Sequence, residues 1–178
     1  LPTKYDVGGE SFGGALAAID STVTLEHCVF RNNTSVGGQS GYIEAQSSGL
    51  EGPVAKGGAI YMGGGSLSLD ACILDANLSM GGTGGNGSWR GGTGGRGLGG
   101  GMYLESSASL VNCLLVNNCA SGGQGGHSDR FCGNGGNGSA GAAWFAMSWN
   151  AGHCTMANNK AQGGVSGIRR TSEAVLGS

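Results

Sequence analysis

The sequence predicts an all-β solenoid of about four coils, with long glycine-rich loops extruded from one corner. Two observations predict it. A short motif that starts with Cys and ends with Asn recurs at nearly constant spacing, and apolar and polar residues alternate in front of each copy. A fixed period of this length is typical of stacked repeats, in which each unit buries its apolar face against its neighbours. The repeat therefore determines the architecture.

The shared motif is Cys, any residue, a large apolar residue, two variable residues and Asn. Its four copies are Cys28/Phe30/Asn33, Cys72/Leu74/Asn77, Cys113/Leu115/Asn118 and Cys154/Met156/Asn159. Successive cysteines are 44, 41 and 41 residues apart. We predict one β-solenoid domain over residues 1–178, with repeats at approximately 13–38, 57–82, 99–123 and 141–164 joined by Gly-rich loops.

The residues before each cysteine alternate with period two, which predicts a strand with one buried face. The inward positions are Val23/Leu25, Leu67/Leu69, Ala108/Leu110 and Trp149/Ala151. A turn-tolerant residue then precedes each cysteine, and these residues are His27, Ala71, Asn112 and His153. After this bend, the cysteine and the large apolar residue point inward again. Each coil is therefore expected to contain three short strands.

Stacking would place the four motif asparagines, Asn33, Asn77, Asn118 and Asn159, in one column. A buried amide needs hydrogen-bond partners, and a column of amides supplies them from one coil to the next. We therefore predict a structural asparagine ladder.

The motif cysteines, Cys28, Cys72, Cys113 and Cys154, form a second structural column. A four-thiolate zinc site is ruled out, because coils rise about 4.8 Å each and the outer sulfurs would lie about 14 Å apart. Buried cysteines acting as small apolar residues and disulfides between adjacent coils both stay open. Cys119 and Cys132 lie outside the column and flank a Gly-rich loop, so we predict a disulfide between them, with a free pair as the alternative. Such a bond would indicate an oxidising compartment.

The segments between the repeats are rich in glycine, which accounts for 41 of the 178 residues. Flexible linkers commonly have this composition. Here, however, pairs of glycines recur at about three-residue spacing, as they do where extended chains pack side by side. Both a flexible loop and an ordered one stay open.

Composition excludes several classes of protein. Two prolines and no Gly-X-Y period exclude collagen. The net charge of −2 and the lack of a basic stripe argue against nucleic acid as a partner. No run is apolar enough for a membrane span, and no secretory signal opens the chain. Because the first residue is Leu, we expect a form that is processed or excised from something longer.

A further element precedes the alternating strands: GGA followed by Ile or Leu. It is intact at 13–16 and 57–60, looser at 99–102 and weakest at 141–144. Together with F/L-x-x-N, it resembles the repeats of chlamydial polymorphic outer membrane proteins and related bacterial and eukaryotic surface proteins. The resemblance covers residues 13–164. It implies a right-handed parallel β-helix that is exported and serves as an adhesive or structural surface element. It predicts fold better than function, because β-helices also carry polysaccharide lyases and phage tailspikes.

The sequence contains five N-x-S/T sequons, at Asn32, Asn33, Asn77, Asn86 and Asn137. Those of Asn33 and Asn77 belong to the predicted ladder and should be buried. Asn86 and Asn137 lie in Gly-rich loops and are the candidate glycan acceptors if the source is a eukaryote.

The best candidate for a catalytic cluster consists of Glu26, Asp70, Arg31 and Asp75 on the outer face of the first two coils. Such charges usually form a solvated face, so we predict no enzyme, no catalytic residue, no metal site and no cofactor. An ice-binding face is not expected either, because the outward positions are mixed rather than a regular Thr array.

We therefore expect a non-enzymatic structural or adhesive β-helix, located extracellularly or at the cell surface. The alternative is a carbohydrate-binding or polysaccharide-degrading β-helix, in which Trp89 would stack on a sugar. By the repeat spacing, a further strand is due near position 185. We therefore expect either a module that continues into neighbouring repeats of a longer chain or a subunit that stacks end to end into a filament. Cell-surface glycans are the other expected partner.

Overall fold

The computed structural model describes residues 6–42 and 48–169. In this part of the chain all regular structure is β-strand, and no helix is present. Every strand pair is parallel. The strands stack into four sheets, an arrangement consistent with a β-solenoid.

The sheets are numbered in the order in which each repeat enters them. Sheet 1 contains β1 (Ser11–Phe12), β5 (Ala55–Lys56), β9 (Gly97–Leu98) and β14 (Gly138–Ser139). Sheet 2 contains β2 (Leu16–Glu26), β6 (Ile60–Asp70), β10 (Met102–Leu104), β11 (Ser107–Val111), β15 (Ala143–Phe145) and β16 (Trp149–Gly152). Sheet 3 contains β3 (Val29–Arg31), β7 (Ile73–Asp75), β12 (Leu114–Val116) and β17 (Thr155–Ala157). Sheet 4 contains β4 (Thr34–Val36), β8 (Leu78–Met80), β13 (Cys119–Ser121) and β18 (Lys160–Gln162).

The expectation of three short strands in each repeat is wrong in two respects. The two apolar runs of repeat 2 form one strand, β6, which continues through three glycines at 63–65. Sheet 1 is additional, and its two-residue strands lie in Gly-rich sequence where no alternation marks them. Such short strands form because the same residues of the neighbouring repeats supply their hydrogen bonds.

The strand register places equivalent residues of the repeats opposite one another. Leu25 pairs with Leu69, Leu69 with Leu110, and Leu110 with Ala151. The inward side chains of sheets 2 and 3 thereby form one core, in which Leu69, Leu74, Leu110 and Leu115 are fully buried. Each such leucine contributes about 2 kcal/mol to the stability of the fold through its removal from water. The core therefore consists of stacked columns of equivalent side chains.

Three corners in each repeat hold a residue in the left-handed conformation. The first corner contains Gly13, Gly57, Gly99 and Ala140; the second contains His27, Ala71, Asn112 and His153; the third contains Asn32, Ala76, Asn117 and Asn158. The second corner is the predicted bend before each cysteine. Asparagine tolerates this conformation better than alanine, which has no side chain able to hydrogen-bond locally. Repeat 2 therefore has a strained residue at two of its corners.

We expect Ala76→Asn to raise the free energy of unfolding by about 0.5–1 kcal/mol. Ala76 is exposed and has a φ of 55°, and the other three repeats have asparagine at this corner. Ala157→Asn is the matched control, since Ala157 lies within β17 and has no positive φ. Chemical denaturation of both variants measures the difference. Equal effects of the two substitutions would contradict the assignment of strain to this corner.

The Gly-rich segments are ordered in the structure. We call residues 37–42, 48–54, 81–96, 122–137 and 163–167 the Gly array. Each loop has an outgoing and a returning arm, and backbone hydrogen bonds of 2.7–2.9 Å join arm to arm across the repeats. One such chain of donors runs from Gly133 to Gly126, Gly92, Gly85 and Leu50, and another runs from Gly164 to Gly136, Gly123, Gly95, Gly82 and Pro53. Of the two alternatives, ordered packing is the one observed.

Glycine is required in the Gly array because the arms touch through their backbones. A Cβ atom on Gly92 would overlap the carbonyl group of Leu50, and one on Gly126 would overlap that of Gly85. The arms can approach this closely only where no side chain intervenes. The Gly array is therefore a packed part of the fold.

Candidate functional site

The four predicted ladder asparagines lie in one hydrogen-bonded column. Asn33 donates to Asn77, Asn77 to Asn118 and Asn118 to Asn159, each through both its backbone N–H and its Nδ2 at 2.9–3.0 Å. A second Nδ2 bond reaches back to the preceding repeat, as from Asn118 to the carbonyl of Leu74 at 2.9 Å. The amides of Asn77 and Asn118, in the middle of the column, are fully engaged and have no capacity to bind a ligand.

The motif cysteines form a neighbouring column of free thiols. The Cys72 thiol donates to the carbonyl of Leu25, that of Cys113 to Leu69 and that of Cys154 to Leu110, at 3.4–3.6 Å. Burial raises the pKa of the Cys72 and Cys113 thiols. At neutral pH these groups therefore stay protonated and behave as small buried side chains rather than as nucleophiles.

The predicted disulfide between Cys119 and Cys132 is not formed, and both residues are free thiols. Cys119 lies in β13, whereas Cys132 lies on the returning arm of the loop. Its neighbour Gly133 donates to Gly126 across antiparallel arms, so Cys132 sits level with His127, eight positions beyond Cys119. At about 3.1 Å per residue of extended chain, the two cysteines lie about 25 Å apart, far beyond the span of a disulfide. The sequence prediction failed because it assumed that the two residues flanking the Gly-rich segment lie side by side.

The candidate catalytic cluster is divided between two sheets. Glu26 and Asp70 are register partners at the end of sheet 2, and Asp70 accepts from Asn112 at 3.2 Å. Arg31 and Asp75 form an ion pair of 2.9 Å on sheet 3. The second corner therefore separates Glu26 and Asp70 from Arg31 and Asp75.

The chemistry of this cluster is that of charged surface pairs. A hydrogen bond from Asn117, together with the Arg31 guanidinium, lowers the pKa of Asp75. A general acid for glycoside cleavage needs a raised pKa. Asp75 is therefore suited to pairing with Arg31 rather than to donating a proton.

A cluster that sequence reasoning missed lies between sheets 1 and 2. Tyr61, Tyr103 and Trp144 stack in register, with successive ring centroids 6.0 Å apart. Glu105 accepts from both tyrosine hydroxyls, at 3.3 and 3.0 Å, and Lys56 lies 3.3 Å from its carboxylate. The structure pairs Met102 with Ala143 and Tyr103 with Trp144, so the fourth repeat is placed one residue earlier than the GGA element at 141–144 predicts. With that register, the position after the element carries an aromatic residue in three repeats.

The electrostatics of this cluster favour a fixed ion pair. Burial acts to raise the pKa of Glu105, but the hydrogen bond from Tyr103 and the charge of Lys56 outweigh it and lower the pKa. Burial, with the bond to Glu105, raises the pKa of Tyr103 to about 12. With Tyr103 only 7% exposed, the cluster holds sheet 1 against sheet 2 and offers little surface to a ligand.

We expect alkaline titration to show that Tyr103 ionises late. Because the pKa of Tyr103 rises from 10.0 to about 12 on folding, its contribution to stability is complete below about pH 10 and is lost as the pH rises towards 12. The absorbance of phenolate in wild type, minus that in Tyr103→Phe, should give a midpoint near pH 12. A midpoint near 10 would contradict the packing of this cluster.

A shallow groove of 420 Å³ runs across the outer face of sheet 2. It is lined by small polar side chains, namely Thr22, Thr24, Ser66, Ser68, Ser107, Ser109, Ser148 and Asn150. Ser66 bonds to Thr22 at 3.3 Å. The hydroxyls form columns, but the neighbouring column carries Glu26, Asp70 and Val111, so the face is not a regular threonine array.

The two candidate glycan acceptors differ in accessibility. Asn86 is half-buried, and its side-chain oxygen accepts from the backbone of His127 at 2.8 Å. Asn137 is exposed. Of the two, Asn137 is the one that a modifying enzyme can reach without breaking a hydrogen bond.

The distal ends of the Gly-array loops carry exposed aromatic and cationic side chains. The Trp89 and Phe131 rings lie 5.8 Å apart at an angle of 60°, and the Arg130 guanidinium lies 4.4 Å from the Trp89 ring centroid. The sequence singled out Trp89 but missed its neighbours. The 41-residue spacing that places Arg130 beside it was already visible in the motif cysteines.

Neither a metal centre nor a membrane-spanning helix is found among the described residues. No group of three or more His, Cys, Asp or Glu side chains lies close enough together to hold a metal ion there. Nor does residue range 6–42 or 48–169 contain a helix with the length and apolar character needed to cross a membrane.

Comparison with known proteins identifies no relative: no family model, no curated protein and no solved structure matches this chain.

Proposed function

We propose that the chain is a right-handed parallel β-helix of four coils that serves as a non-enzymatic structural or adhesive element outside the cell or on its surface. The observation that supports this best is the continuity of two hydrogen-bonded arrays through all four repeats. The Asn ladder runs from Asn33 to Asn159, and donors of the Gly array run from Gly164 back to Pro53.

Such continuity suits a scaffold. Interactions between adjacent repeats dominate the stability of a solenoid, and its surfaces repeat at a fixed spacing of about 4.8 Å. The ordered loops of this chain project side chains from one corner at that spacing. The resemblance of the GGA and F/L-x-x-N elements to repeats of chlamydial polymorphic outer membrane proteins supports an exported, adhesive role.

The polarity of the ladder supports assembly with further repeats. Within the described residues, the side-chain oxygen of Asn33 accepts no hydrogen bond and the backbone N–H of Asn159 donates none. A preceding repeat would donate to Asn33, and a following repeat would accept from Asn159. Those repeats would belong to a longer chain or to a second copy stacked end to end.

Incubation with a panel of acidic and neutral polysaccharides tests the non-enzymatic assignment. We expect no release of oligosaccharides from any of them, since the Asp70 carboxylate accepts from Asn112 and the Asp75 carboxylate pairs with Arg31. Release of unsaturated oligosaccharides that disappears in Asp70→Ala would overturn the proposal. Asp129→Ala, an exposed acid on a loop, is the matched control.

Carbohydrate binding without turnover is the second candidate. It is favoured by the exposed Trp89 and Phe131 with the Arg130 guanidinium beside them. Aromatic faces with adjacent polar groups are typical of surfaces that bind sugars. Retention on a polysaccharide column without product release distinguishes it from an enzyme.

A further inference from the structure

The loop ends form a continuous surface, which we call the loop tip and define as residues 88–91, 128–132 and 168–169. Parallel backbone bridges hold it in register: Arg90 pairs with Phe131, and Ser128 pairs with Arg169. The hydroxyl of Ser128 accepts from the backbone of Arg130 at 3.1 Å. The side chains of the loop tip therefore stand on an ordered backbone at fixed positions.

The loop tip has an excess of positive charge. Arg90, Arg130 and Arg169 are all exposed there, against one acid, Asp129. None of the three arginines forms an ion pair with a described residue. Arg169 instead donates from Nε to the backbone carbonyl of Asp129 at 3.1 Å. These exposed arginines form a local positive patch, although the chain as a whole carries a charge of −2.

The aromatic side chains of the loop tip lie at the same level as its cations. Trp89 is 44% exposed and Phe131 is 56% exposed, and the Arg130 guanidinium covers the Trp89 ring at 4.4 Å. Insertion into a bilayer would need apolar side chains that project beyond the charges. Here a partner must offer apolar faces and anionic groups side by side.

We propose that the loop tip binds an anionic polysaccharide, with the carboxylate or sulfate groups held by Arg90 and Arg130 and the sugar rings packed on Trp89 and Phe131. Guanidinium groups bind such anions through paired, charge-assisted hydrogen bonds. The apolar face of a sugar ring packs on an aromatic ring. This proposal deepens the adhesive part of the proposed function and depends on it.

The test measures binding of the full 178-residue chain to polygalacturonate, dextran sulfate and uncharged dextran. We expect binding to at least one of the two anionic polymers and none to dextran. Comparison of polygalacturonate with dextran sulfate distinguishes carboxylate recognition from sulfate recognition. The double variant Arg90→Gln/Arg130→Gln should weaken binding at least about tenfold. Trp89→Ala should also weaken it, and added salt should reduce wild-type binding by screening the arginines.

The matched control is Arg96→Gln, which removes one exposed arginine on a returning arm away from the loop tip. Its affinity should stay within about twofold of wild type. Because the loop-tip side chains are exposed, the variants should fold, and circular dichroism checks this.

Three outcomes would overturn the proposal. They are binding to neither anionic polymer, equal weakening by the control and the double variant, and binding to vesicles of phosphatidylcholine with 30% phosphatidylserine instead of the polymers. These failures would leave the non-enzymatic scaffold standing. Conversely, turnover that is lost in Asp70→Ala would overturn the scaffold whether or not the loop tip binds.

Discussion

Replacement of Asn118 by alanine is expected to lower the free energy of unfolding by about 3 kcal/mol. Asn118 is fully buried, and its side chain accepts from the backbone and Nδ2 of Asn77 and donates to Leu74 and Asn159. Alanine leaves these groups buried and without a partner. A buried donor or acceptor without a partner has lost its hydration as well as its hydrogen bond. The free energy of unfolding therefore falls by more than the net value of the bonds alone.

Asn134→Ala is the control for this substitution. Asn134 is exposed on the returning arm of a loop, and its backbone carbonyl, which accepts from Gly94, is kept. The expected change is below about 0.5 kcal/mol. Chemical denaturation followed by circular dichroism compares the two variants. Equal denaturation midpoints would mean that the Asn ladder contributes nothing specific.

Gly92→Ala is expected to destabilise the chain by about 3 kcal/mol. Its Cβ would overlap the carbonyl of Leu50, and the neighbouring arms are tied on both sides by hydrogen bonds of Gly92 to Gly85 and Gly126. The overlapped atoms are backbone, so no rotamer change can relieve the contact. The arms would have to separate, and several hydrogen bonds would be lost with them.

Gly163→Ala makes the same chemical change where there is room for it. The atom nearest to its added Cβ would be the Gly136 carbonyl oxygen at 3.6 Å, an ordinary van der Waals distance. We expect it to be neutral or slightly stabilising, because alanine has fewer unfolded conformations than glycine. If both variants have wild-type stability, the Gly array is not packed.

The repeat carried most of the fold information in the sequence. The Cys and Asn columns followed from spacing alone, because parallel stacking brings equivalent residues together. Sheet 1 did not follow, since strands as short as Gly97–Leu98 have no pattern of their own. The order of the Gly array was undecided, because composition cannot tell a solvated glycine from one such as Gly92 that touches backbone on both sides.

Candidate surface residues were harder to predict than core residues. The grouping of Glu26 with Arg31 overlooked the bend predicted at His27, which places the two residues on different sheets. The disulfide between Cys119 and Cys132 assumed a closed loop, whereas the arms extend side by side. Arg130 was missed beside Trp89 because the 41-residue offset was applied to the core motif and not to the loops.

Amide hydrogen exchange of the glycines tests the central claim, that the Gly-rich segments are packed with the stacked repeats into one hydrogen-bonded structure. We expect slow exchange for Gly85, Gly92, Gly126 and Gly133, close to that of the core amides Leu74 and Leu115, because the N–H groups of these glycines donate across the arms. Exchange of those glycine amides at the rate of an unstructured chain, with the core amides still protected, would contradict it.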